Sequence, residues 1–185
     1  MHRDFTLNYP IIPALAIGFT RSNSLIAKVI QFFRKILDDK AEPNHSFIVT
    51  EDHGQKFATE ETPHGLREQS LEQYIYKNNR IVAMYLWNEF KDPGTIDKVE
   101  TYLAEIRRRF GEESKYDWKG LFHFVPIVKK FVKPDPKRQW CSENCASILK
   151  KYGAGFIVKT EIAPDELLKI MKASDECNAV LNYYK

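Results

Sequence analysis

The chain alternates between short apolar runs and amphipathic stretches at helical spacing. Residues 12–20 carry an almost continuous apolar run, which predicts a buried strand. Ser22, Asn23 or Ser24 can cap a helix to about residue 37, because Leu25, Ile26, Val29, Ile30, Phe33 and Ile36 fall on one stripe. Residues 45–50 and 56–60 read as two strands joined by the loop Glu51-Asp52-His53-Gly54-Gln55, a hairpin. Gly65 marks a turn, and Ser70 can cap a short helix containing Leu71, Tyr74 and Ile75. Residues 80–87 are apolar and β-prone, which predicts a central strand.

After the turn Asp92-Pro93-Gly94, Thr95 is expected to cap a helix to about Phe110, with Ile96, Val99, Leu103 and Ile106 facing inward. Residues 116–124 are aromatic and predicted helical, and residues 129–138 form a basic, proline-containing loop. A further helix is expected over 140–152, ended by Gly153. A strand is expected at 154–161, a helix from Pro164 at its first position, and a last strand at 178–184. These elements predict one α+β domain over residues 1–185, a mainly antiparallel sheet flanked by helices.

Composition narrows the class. A chain of 185 residues with 43% hydrophobic and 13% aromatic residues can bury a core. The net charge of +3, from 28 basic and 25 acidic residues, is too balanced to imply nucleic-acid binding. The apolar run near the start is too short to span a bilayer and contains Pro13, so no stable membrane insertion is expected. Three cysteines, Cys141, Cys145 and Cys177, do not make a disulfide framework. With no signal peptide in evidence, they point to a reducing, cytoplasmic setting.

The candidate chemistry is a thiol and an imidazole. Cys141 opens the helix of residues 140–152, where free N–H groups and the helix dipole favour a thiolate. The same N–H groups can stabilise an oxyanion. His45 opens a strand and can take the thiol proton. An imidazole in this role needs a partner on its other nitrogen. The second hairpin strand ends in Glu60 and Glu61, which point to opposite faces, so only one can reach His45. Against this, Cys141, Cys145, Ile148 and Tyr152 share one helical stripe, and a free cysteine is often only a buried apolar residue.

In order along the chain, several segments resemble a known family. They are Ala16-Ile17-Gly18-Phe19-Thr20, Asn44-His45, Glu60-Glu61-Thr62-Pro63-His64-Gly65-Leu66, Tyr116-Asp117, Cys141-Ser142-Glu143 and Ala163-Pro164-Asp165-Glu166-Leu167. Histidine precedes cysteine. The set resembles the circularly permuted NlpC-type papain-like cysteine hydrolases, including the bacterial YiiX-like proteins and, more distantly, the lecithin retinol acyltransferase-like enzymes. The resemblance implies a permuted papain-like fold with the nucleophile helix C-terminal. It implies Cys141 as nucleophile, His45 as base and Glu60 as third residue, with Glu61 the alternative. Tyr116 and Trp140 become oxyanion or substrate residues. No cofactor or metal is implied. The expected activity is hydrolysis of an amide or ester in a peptide or lipid substrate; the alternatives are acyl transfer by the same chemistry, or a binding module that has lost catalysis.

Two other readings compete. Cys141 and Cys145 with His45, His53, His64 or His123 offer zinc ligands, but no second paired motif accompanies them. The basic residues 129–138 precede the nucleophile, where they can steer an anionic substrate; a solvated loop explains them equally.

Overall fold

The computed structural model describes residues 12–22, 43–62, 65–77, 79–110 and 141–182. The helix expected over 22–37, the aromatic segment 116–124 and the basic segment 129–138 therefore lie outside the described residues, apart from Ser22. Among the described residues six strands form one sheet: β1 (Ile17–Ser22), β2 (His45–Asp52), β3 (Gln55–Thr62), β4 (Gly65–Ser70), β5 (Asn79–Trp87) and β6 (Cys177–Asn182). Their order is β4-β3-β2-β1-β5-β6. Every neighbouring pair is antiparallel. The helices are α1 (Leu71–Lys77), α2 (Pro93–Phe110), α3 (Cys141–Lys151) and α4 (Pro164–Ala173). The α+β class and the antiparallel sheet agree with the sequence reading.

The sheet is covered on both sides. Ile17, Phe19, Ile48 and Trp87 pack with Val99 and Leu103 of α2, with Cys145, Ile148 and Leu149 of α3, and with Leu167 and Met171 of α4. Phe47, Val49, Ala58 and Met84 pack with Leu71 and Tyr74 of α1. Among the described residues no helix is long and apolar enough to cross a membrane.

Several expectations are corrected. The first strand begins at Ile17 rather than residue 12. The chain turns through residues 14 and 15, and Leu15 adopts a left-handed φ of 62°, which no strand accommodates. The hairpin loop is two residues, not five. His53 (φ 47°) and Gly54 (φ 78°) both take positive φ, as a type I′ turn requires, and the strands pair out to Asp52↔Gln55. The cap of α2 is Asp92, whose carboxylate accepts from the Thr95 N–H at 2.8 Å and the Thr95 hydroxyl at 3.1 Å. Residues 154–161 form turns rather than a strand. Ala154 and Ile157 anchor them in the core while Val158 is exposed, without the alternation a paired strand needs.

The end of α3 is as expected. Gly153 takes φ 101°. Its N–H reaches the Lys150 carbonyl at 3.2 Å, and the Ala154 N–H reaches Leu149 at 3.0 Å, the paired bonds of a Schellman motif. Gly65, read as marking a turn, opens the edge strand β4, which runs to Ser70.

Candidate active site

The site lies where β2 and β3 part. Their last ladder pair is Ile48↔Thr59. Beyond it β3 stays paired to β4 through Glu60↔Arg67 and Thr62↔Gly65. Extending the register would set Phe47 opposite Glu60. His45 is two residues from Phe47 and shares its face, so it meets Glu60 on the diagonal. The contact is direct: His45 Nε2 lies 2.5 Å from Glu60 Oε2. Tyr74 of α1 donates to the same oxygen at 2.9 Å.

Parting of the ladder also frees a donor. Along β2, alternate N–H groups face β3. Ser46 follows Ile48 and Thr50 in that set but lies past the last pair. Its N–H donates instead to the Cys141 sulfur. The Ser142 N–H, in the first turn of α3, donates to the same sulfur. Helix α3 is tethered there, since the buried Ser142 hydroxyl donates to the Ile162 carbonyl at 2.6 Å. Ser142 is thus a structural member of the Cys-Ser-Glu tripeptide.

His45 joins the three groups. Glu60 takes Nε2, and the ring also interacts with the Cys141 sulfur. Burial alone disfavours a charged imidazole, but the Cys141 sulfur and the Glu60 carboxylate outweigh it and raise His45 from 6.5 to about 10. Burial likewise disfavours a thiolate. The His45 charge, its hydrogen bond and the two backbone N–H groups overcome that, and Cys141 is held below the ordinary thiol range. Glu60 is lowered against its own burial by His45, Tyr74 and the charge of Arg67. The two shifts run in opposite directions, His45 up and Cys141 down, with the Glu60 carboxylate beside the ring.

Cys145, one turn along α3, is the contrast. Burial, reinforced by the charge of Cys141, pushes it up to about 12. Cys177 is pushed up to about 11, chiefly by burial. Of the three thiols only Cys141 is shifted downward.

Cys141, His45 and Glu60 are brought together at this end of the sheet. Glu61 is buried on the opposite face, in register with Leu66, and is not the partner of His45. Both glutamates are buried. Tyr116 and Trp140 lie outside the described residues, as do His64 and His123. His53 sits on the exposed hairpin tip. Among the described residues no three His, Cys, Asp or Glu side chains are grouped to hold a metal ion. Tyr74 and the Ser46 N–H were missed from sequence. Tyr74 gave one signal, an inward position on an apolar stripe with a polar tip that needs a partner.

No protein-family model matches the sequence, and no curated protein matches it. The fold is that of YiiX. The crystal structure of the metalloprotein YiiX from Escherichia coli O157:H7 superposes with a TM-score of 0.63, covering 93% of this chain and 98% of that one at 12% identity.

Proposed function

We propose that this chain is a cysteine hydrolase of the permuted papain-like, NlpC type, cleaving an amide or ester of a peptide or lipid through Cys141, His45 and Glu60. The observation that carries the reading is the placement of His45 between a thiol and a buried carboxylate. A structural cysteine has no use for an imidazole held this way.

The Cys141 thiolate attacks the substrate carbonyl carbon, and a C–S bond forms. Negative charge moves to the carbonyl oxygen, and in this reading backbone N–H groups in the first turn of α3 receive it. His45, as imidazolium, gives its proton to the leaving amine or alcohol, and the C–N or C–O bond breaks. A thioester remains. Neutral His45 then takes a proton from water, the hydroxide attacks the thioester, and release of the acid restores the thiolate. Glu60 holds the ring in place and stabilises its positive state. An amine or alcohol in place of water turns the same cycle into acyl transfer.

YiiX is called a metalloprotein, but the donors present here suit a metal poorly. His45 Nε2 is committed to Glu60, which leaves the ring one nitrogen beside the Cys141 sulfur. Three or four protein ligands are needed for a zinc site, and the described residues do not supply such a group. The donor set fits thiol chemistry better than metal binding.

Acyl-adduct mass spectrometry tests the proposal. Purified protein is mixed with activated esters of short peptides and of fatty acids. An acyl group on Cys141, absent in Cys141→Ala and turned over by water, is expected. No adduct from either class, with Cys141 free and the protein folded, would sink it.

A further inference from the structure

We infer that Tyr74 is the positioning residue of this site, holding the Glu60 carboxylate where it orients His45. The inference rests on the thiol-hydrolase reading above.

Four observations support it. First, both donors use one atom. Glu60 Oε2 receives His45 Nε2 at 2.5 Å and the Tyr74 hydroxyl at 2.9 Å. A carboxylate oxygen has two lone-pair directions, and both are filled. Second, no ladder links Glu60 to the strand of His45. The last pair of β2 and β3 is Ile48↔Thr59, and past it the described partner of β3 is β4, through Glu60↔Arg67. A long side chain there needs a restraint from outside the ladder. Third, Tyr74 is rigid. It is 1% exposed, and the Phe47 ring packs against it at 4.7 Å with the planes tilted by 54°. Fourth, the phenol is a permanent donor. Burial and the negative charge of Glu60 push it well above the ordinary tyrosine range.

Among the described residues, these charged and titratable groups surround the chain of contacts. Glu60 faces His45 from β2, Tyr74 from α1 and Arg67 from β4. His45 faces Cys141 from α3 and Glu60 from β3. Arg67 acts on Glu60 through charge alone, so removing the Tyr74 hydroxyl leaves the carboxylate ionised but less fixed.

The test is the rate of Cys141 alkylation by iodoacetamide from about pH 4 to about pH 9. It compares the full chain with Tyr74→Phe, Glu60→Gln and the double variant. Tyr74→Phe keeps the ring and its packing. Its acidic limb is expected to move up by about one pH unit, so labelling on that limb slows about tenfold. The alkaline plateau stays unchanged. In the Glu60→Gln background the same substitution is expected to change the rate less than about twofold, because its target is already gone. A Tyr74→Phe profile that overlies the wild type overturns the inference while leaving the thiol reading intact. An equal shift with and without Glu60 also overturns it, since the hydroxyl would then act through the fold. A wild type that lacks a low-pH thiolate limb overturns the thiol reading, and this inference with it.

Discussion

Gly18→Ala tests the packing beneath the site. Gly18 and Phe47 face each other across β1 and β2. A Cβ on residue 18 would lie 2.1 Å from Phe47 Cζ and 2.3 Å from Cε1. Ordinary carbon–carbon contact is about 3.6 Å, so the ring would have to move by about 1.5 Å. Phe47 has 0% exposure and leans on Tyr74, so it cannot swing clear without pressing on the residue that holds Glu60. Overpacking of this kind costs about 3 kcal/mol, the upper part of its usual range. For a domain of this size that lowers the melting temperature by about 6–12 °C. Urea denaturation measures the free-energy change directly. The pair Gly18→Ala and Phe47→Leu makes the test specific. A leucine at 47 gives the new methyl room, so the double variant should lose less stability than the two single losses added together. Full stability of Gly18→Ala, or strict additivity of the pair, would refute the packing argument.

Other outcomes follow from the same geometry. Glu60→Gln removes the charge that braces His45, and Cys141 alkylation near pH 6 should fall at least about tenfold; an unchanged rate would place the bracing elsewhere. Because His45 is raised from 6.5 to about 10, its contribution to stability is fully present below about 6.5. It declines as pH rises and is gone above about 10. Against the cost of burial, Cys141 is the larger of the two raising groups, so in Cys141→Ala the loss should fall at lower pH. Thermal unfolding at stepped pH reads this, and identical profiles for the two proteins would contradict it. Asp92→Ala removes the cap of α2 and should cost about 1 kcal/mol in urea unfolding, with no effect on Cys141 alkylation; a change in alkylation would link α2 to the site.

The choice between Glu60 and Glu61 shows where sequence reading stops. Both candidates were visible, and alternation showed that only one can serve. Which one depends on register, and register depends on the turn. A five-residue loop would pair Thr50 with Lys56 and put Glu61 on the face of His45. The two-residue His53–Gly54 turn pairs Asp52 with Gln55 and puts Glu60 there instead. That turn needs a positive φ at a histidine, which composition does not announce. Strand β4 was hidden for another reason: Leu-Arg-Glu-Gln is a polar edge sequence without β-branched residues. Features with local causes were legible, including Pro164 at the start of α4, Gly153 at the end of α3 and the inward stripe of α2. The Ser46 N–H was not, because it becomes a donor only where two strands separate.

The pH dependence of Cys141 alkylation, read by mass spectrometry in the wild type and in His45→Ala, tests the central claim most directly. Rapid labelling well below the ordinary thiol range of about 8.5, lost in the variant, is the result expected of a thiolate–imidazolium pair. Labelling of Cys141 no faster than that of Cys177, and indifferent to His45, would contradict it.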